Sequence, residues 1–169
     1  TFKILFDGVG SVSQSEIDKL QQRIQALCAN KLQNKPYASK LIEILLQKIK
    51  EAGALKAIAS GSTTQRINKI VERCGWEKDF NDIVSTDDVN FVGKPNPAIY
   101  LCTAKRLRVV PADCVVIEDS VNGVRAAKAA GMACVAVPDP RWSWGDFSEA
   151  DIEVSSLADE KLFEFLDIK

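Results

Sequence analysis

The chain has 169 residues, 46% hydrophobic and 27% charged, with a formal net charge of -1. That length suits one compact domain with a core, and the near-neutral balance argues against a non-specific polyanion binder, so no nucleic-acid partner is expected. The sequence has no histidine, which excludes imidazole metal ligands, Ser-His-Asp hydrolysis and Cys-His catalysis at once. Any metal site must then use oxygen ligands, a donor set that favours Mg²⁺.

Taken in chain order, residues 2–9 form an apolar run too short for its period to distinguish a strand from the tail of a helix. Ser13 and Glu16 make a capping-box pair, and Ile17, Leu20, Ile24 and Leu27 follow at helical spacing, predicting a helix over 14–32. Asn34, Lys35 and Pro36 break it. A second helix is expected over 38–52, with Leu41, Leu45 and Ile49 on one face and Gly53 as terminator. Residues 55–59 read as a buried strand running into Ser60-Gly61-Ser62, and a helix starts near Thr63 or Thr64 with Ile67, Ile70 and Val71 on its apolar side. A strand over 80–84 follows, then a helix opened by Asn96-Pro97 and reaching Arg106. Residues 114–117 are a strand with Glu118-Asp119 at its end, and a helix over 123–130 is closed by Gly131. Strands over 133–137 and 151–154 and a helix over 160–165 complete the chain.

This alternation predicts an α/β, Rossmann-like parallel sheet with helices on both faces. The two opening helices, with no strand between them, read as an appended helical element. The five cysteines, Cys28, Cys74, Cys102, Cys114 and Cys134, form no CxxC pair and have apolar neighbours. Buried thiols in a reducing compartment are the expectation. No run of apolar residues is long enough for a membrane span and no signal peptide is visible. The expected setting is therefore intracellular, cytoplasmic or within an organelle, with no membrane partner. The first residue is Thr1 rather than methionine, as in a processed product or a fragment.

In open parallel sheets, ligands bind beyond the C-terminal ends of the strands, so the polar residues that follow strands carry most weight. Ser60-Gly61-Ser62 exposes backbone N–H groups at a helix start, which suits a phosphate; Ser62 with Gln65 is equally a capping box that needs no ligand. Lys94 lies between Gly93 and two prolines, Pro95 and Pro97, on a stiff loop that would hold its charge in place; many loop lysines are merely solvated. Glu118-Asp119-Ser120 places two adjacent carboxylates after a buried strand. They repel unless a cation lies beside them, and Mg²⁺ would relieve that repulsion; the plainer role is to cap the following helix. Arg141, Trp142 and Trp144 crowd one loop, where a packed surface turn is a better reading than base stacking. Trp76 reads as packing between a helix and the next strand. Neither GxxxxGK[ST] nor GxGxxG occurs, which argues against a general nucleotide-binding module.

Taken together, these clusters resemble the haloacid dehalogenase-like (HAD) hydrolase superfamily, and within it the branch of β-phosphoglucomutase and related small-molecule phosphatases. KPYASKLIEILLQKIKEAGALKAIASGS resembles the end of the family's helical cap, the linker and the strand bearing its phosphate-binding serine, here Ser60. DDVNFVGKPNPAIY resembles the lysine motif, with Lys94 contacting phosphate. CVVIEDSVNGVRAAKAAGM resembles the acidic motif, with Glu118 and Asp119 as metal ligands, and ACVAVPDP the strand after it. The resemblance implies Mg²⁺-dependent phosphatase or phosphomutase chemistry on a small phosphorylated metabolite through an aspartyl-phosphate, with Ser60, Gly61, Ser62 and Lys94 binding the phosphoryl group. A non-catalytic family member that binds a phosphorylated ligand or a protein partner is the alternative.

The family's first motif, a strand ending in Asp-x-Asp-Gly, is not intact: before Ser60 there is only Leu5-Phe6-Asp7-Gly8. In one reading, residues 1–36 are a cap remnant and 37–169 the core, with the first core strand absent. The sheet would then lack its middle strand and favour homo-oligomerisation or strand replacement, or a segment would be missing upstream. In the other, residues 2–6 supply that strand. Asp7 is then the nucleophile with the second aspartate deleted, or it takes the second position and leaves Leu5 where the nucleophile belongs.

Overall fold

The computed structural model describes residues 3–6, 37–139 and 143–168. The helix expected over 14–32 and the candidates Asp7, Arg141 and Trp142 lie outside the described residues. The strands are β1 (Lys3–Phe6), β2 (Lys56–Ala59), β3 (Asp82–Val84), β4 (Cys114–Glu118), β5 (Ala133–Ala136) and β6 (Ile152–Glu153). They form one sheet in the order β3-β2-β1-β4-β5-β6, and every neighbouring pair is parallel.

The expectation of a sheet without its middle strand is thereby corrected. β1 pairs with β2, Ile4 opposite Lys56, and with β4, Ile4 opposite Val115. An apolar segment of this kind suits a strand flanked on both sides, and without it two buried strands would carry open edges. The ground for expecting oligomerisation from such a gap falls with it.

Helices cover both faces. The described ones are α1 (Tyr37–Glu51), α2 (Thr64–Cys74), α3 (Ala98–Leu107), α4 (Val121–Ala129) and α5 (Glu160–Phe165). β4 shows why two layers are needed: all five of its residues are buried. Val116 joins Tyr100 and Ala104 of α3 and Val124 and Ala127 of α4 in one core. Val115 and Ile117 join Leu45 and Ile49 of α1 and Leu162 of α5 in the other, as the alternation of side chains along a strand requires. Cys114 and Cys134 are buried thiols, and burial, helped by the charges of Glu118 and Asp151, pushes the Cys134 thiol up to about 12. Among the described residues no helix is long and apolar enough to cross a membrane.

Two local devices fix the loops on either side of β3. At the end of α2, Gly75 takes a left-handed φ of 72°, and Trp76 N donates to Val71 O at 3.0 Å, a helix stop that glycine adopts without steric cost. After β3, Ser85 caps a 3₁₀ turn over Thr86–Val89, reciprocally with Asp88. The Arg106 guanidinium from α3 grips Asp82 through Nε and Nη2 at 2.7 and 2.8 Å and reaches Asp88 through Nη1 at 2.9 Å. The Ser85 backbone N–H is the main reason the Asp88 carboxyl sits below its usual range, and Arg106 adds to it. Arg106→Ala should therefore lower stability by about 1 kcal/mol, an effect that shrinks in high salt because the cluster is half-exposed. The midpoint of urea unfolding at two ionic strengths checks this. The Asp88 contribution is present above the ordinary carboxylate range and is lost as pH falls through its depressed pKa.

Candidate functional site

Because all strands run parallel, the residues after β2 and β4 emerge at the same edge of the sheet, on either side of the end of β1. Ser60 follows β2 and Asp119 follows β4. Lys94, on the loop between the 3₁₀ turn and α3, joins the two tips. Its Nζ donates to Glu118 Oε1 at 2.6 Å, to the Tyr100 hydroxyl at 2.6 Å, and more weakly to Ala59 O at 3.5 Å. The ammonium therefore lies between the last residue of β2 and the last residue of β4.

Glu118 is 1% exposed, and its carboxylate is satisfied on both oxygens. Oε1 accepts from Lys94 and from the Tyr100 hydroxyl. Oε2 accepts from the backbone N–H and hydroxyl of Ser120 at 3.2 and 3.0 Å. Burial pushes the Glu118 carboxyl up, but the Lys94 charge and the hydrogen bonds from Lys94, Tyr100 and Ser120 outweigh it and hold the group below its usual range. Ser120 also caps α4 by accepting from Gly123 N at 3.0 Å, which starts that helix at Val121, two residues earlier than expected. The same turn sets Gly123 against Glu118. A β-carbon on Gly123 would fall 1.9 Å from the Glu118 carboxyl carbon.

Asp119 has the opposite electrostatics. Burial and then the Glu118 charge push its carboxyl above the usual range, Asp139 adds to this, and Lys94 offsets part of it. The two residues expected as a pair of metal ligands thus have different surroundings. Glu118 has four donors already directed at its two oxygens. Asp119 is the carboxylate whose charge a cation would relieve, and an oxygen donor suits Mg²⁺. Among the described residues no group of three or more histidine, cysteine, aspartate or glutamate side chains is arranged to hold a metal ion.

On the β2 side, Ser60 is 5% exposed, and its Oγ accepts from Ser62 N at 3.2 Å, closing the Ser60-Gly61-Ser62 turn on itself. The capping role expected of Ser62 falls elsewhere. α2 has Thr63 at its N-cap without a side-chain bond, and Thr64 N donates to Asp87 Oδ2 at 2.8 Å. The start of α2 therefore carries a carboxylate supplied by the 3₁₀ turn, and the turn serines lie beside it. Sequence reasoning named Ser120 in the acidic cluster and Gly123 as a helix start, but gave neither them nor Tyr100 and Asp87 a part in the site. The Ser120-to-Gly123 spacing of a helix cap was the one local signal available for this group. Trp144 is 80% exposed and joins no part of the site.

Residues 5–131 match the family described as haloacid dehalogenase-like hydrolase. The bifunctional riboflavin kinase/FMN phosphatase of Arabidopsis thaliana is 43% identical over 134 residues, 79% of this chain and 34% of that protein. Hexitol phosphatase B of Escherichia coli is 37% identical over 116 residues, 65% of this chain and 50% of that protein. The chain thus spans half the length of these curated relatives or less. The crystal structure of CbbY from Rhodobacter sphaeroides in complex with phosphate matches with a TM-score of 0.69 at 23% identity, over 93% of this chain and 95% of that one, a likeness of fold. CbbY and β-phosphoglucomutase structures both match, and no single branch of the family dominates. A match that runs through β2, the Lys94 loop and β4 leaves one assignment: this chain belongs to the haloacid dehalogenase-like hydrolase family.

Proposed function

We propose that this chain binds the phosphoryl group of a small phosphorylated metabolite at the tips of β2 and β4, in a site descended from Mg²⁺-dependent phosphatases or phosphomutases. The observation that carries the reading is the Lys94 ammonium, held between Ala59 O and Glu118 Oε1. A largely buried cation at that edge, reaching Ala59 O just before the Ser60 turn, favours a phosphoryl dianion. Gly61 and Ser62 continue the same turn and would offer it backbone N–H groups. Asp119 would hold Mg²⁺, and Glu118 would serve as the counter-ion that keeps Lys94 in place. Bound there, Mg²⁺ would polarise a phosphoryl oxygen and neutralise part of its charge.

Asp7 is the candidate nucleophile. In sequence it follows Phe6, which is paired with Ile117, just as Glu118 follows Ile117. Gly8 and Val9 come next, so no second aspartate follows to move the proton of an attacking water, and hydrolysis of an aspartyl-phosphate would be slow. The same feature supports the second reading, a family member that binds phosphorylated ligands without turning them over.

The test is a phosphomonoester panel assayed with and without Mg²⁺, beside thermal melting in orthophosphate. Turnover that requires Mg²⁺ supports the enzyme. Melting raised by orthophosphate without turnover supports the binding protein. Neither response sinks both. Mg²⁺ should raise the melting temperature of the native chain and not that of Asp119→Asn. The variant should melt higher than the native chain in metal-free buffer near neutral pH. Asp119 has a raised folded-state pKa, so its charged form costs stability above that pKa, and the cost disappears in acid.

A further inference from the structure

Tyr100 lies in the first turn of α3, six residues after Lys94, and has no exposed surface. Its core is mostly aliphatic and makes no use of a hydroxyl, and a buried hydroxyl is costly unless bonded. Two of its bonds go to the charged pair. It donates to Glu118 Oε1 and accepts from Lys94 Nζ at 2.6 Å. With the direct Lys94–Glu118 contact of 2.6 Å, the three groups close a ring of hydrogen bonds, and the ammonium stands 4.4 Å from the centroid of the tyrosine ring.

A lysine has a long flexible stem and three equivalent donors, so one carboxylate contact leaves its direction loose. A second short contact, at an oxygen carried by a rigid buried ring, removes that freedom. Lys94 Nζ also donates to Ala59 O, a longer contact of 3.5 Å at the β2 tip beside Ser60. We infer that Tyr100 is a positioning residue that fixes the direction of the Lys94 ammonium and keeps it turned towards the β2 tip rather than to solvent. This rests on the phosphate-binding reading of Lys94 for its purpose, but not for its geometry.

The experiment is a brief pulse of acetic anhydride on the full chain, with each lysine quantified by mass spectrometry, in the native protein and in Tyr100→Phe. The variant keeps the ring and loses only the oxygen. Acetylation of Lys94 should rise roughly five-fold, the size of effect one such hydrogen bond supports. Lys56 is the internal control: it is 4% exposed and donates to Leu46 O at 3.0 Å, at the opposite end of β2. Lys94 rising while Lys56 stays constant supports the inference. An unchanged Lys94, or both lysines rising together as a loosened fold would make them, overturns it. Should Tyr100→Phe not fold, replacing both tyrosines of the chain with 3-fluorotyrosine weakens the phenol oxygen as an acceptor without altering its packing. Acetylation of Lys94 should then still rise, and no change again overturns the inference. Orthophosphate should protect Lys94 in the native chain. Absence of protection together with a Tyr100 effect would overturn the phosphate reading alone.

Discussion

Gly123→Ala should disable the site and destabilise the protein by about 3 kcal/mol, at the upper end of what overpacking in a core costs. The added methyl would meet the Glu118 carboxyl carbon at 1.9 Å and its two oxygens at 2.0 and 2.1 Å. No rotamer change at position 123 can avoid this, because a β-carbon has no freedom of its own. Glu118 must move instead, and it is held by Lys94, Tyr100 and Ser120 at once. Moving it breaks charge-assisted bonds in a buried setting. Urea unfolding and orthophosphate binding should both deteriorate. A variant that unfolds like the native chain would show that Glu118 has room the packing does not reveal. A further variant, Gly123→Ala with Glu118→Ala and Lys94→Met, removes the clashing group together with the cation that needs it and should recover much of the lost stability while binding stays poor.

The second large effect is at Lys94. Lys94→Ala leaves the Glu118 carboxylate buried without its cation, a change that costs about 3–5 kcal/mol for one broken buried pair. In the native chain the depressed Glu118 pKa means its contribution is present above the unfolded-state value and is lost as pH falls through the folded-state value. Without Lys94 the largest remaining influence is burial, which raises the pKa, so the sign reverses and the variant is relieved as the carboxyl protonates. The stability difference between native chain and variant should therefore narrow from about pH 7 to about pH 5. A difference that stays constant over that interval would falsify the assignment of Lys94 as the partner of a charged Glu118. Lys94→Met with Glu118→Gln should recover stability, since a neutral pair needs no counter-ion, yet orthophosphate binding should stay lost.

Most of the fold was legible because most of it is locally encoded. The helix expected over 160–165 and the strand over 133–137 match α5 and β5 to within a residue, since each has its own apolar pattern and terminator. β1 was ambiguous because a few apolar residues have no period to read. What settles it is the space between β2 and β4, which is not a local property. At the site, Ser60, Lys94, Glu118 and Asp119 stood out as polar residues after strands. Tyr100 did not, because a tyrosine between Ile99 and Leu101 reads as core. Gly123 was read as a helix start, and the contact that demands glycine there comes from Glu118 across the turn. The cap of α2 was assigned to Ser62 because local pairs are what a sequence displays, whereas Asp87 reaches Thr64 from 23 positions along the chain.

The place of β1 has a consequence for how the protein is made. Lys3 pairs with Cys114, so β1 must wait on the ribosome for β4, made well after it, before both its edges are covered. Such distant pairing is slow to form. Until β4 is synthesised, Lys3–Phe6 has at most β2 beside it, and a nascent chain held at that stage offers an open apolar strand to chaperones or to other unfinished copies.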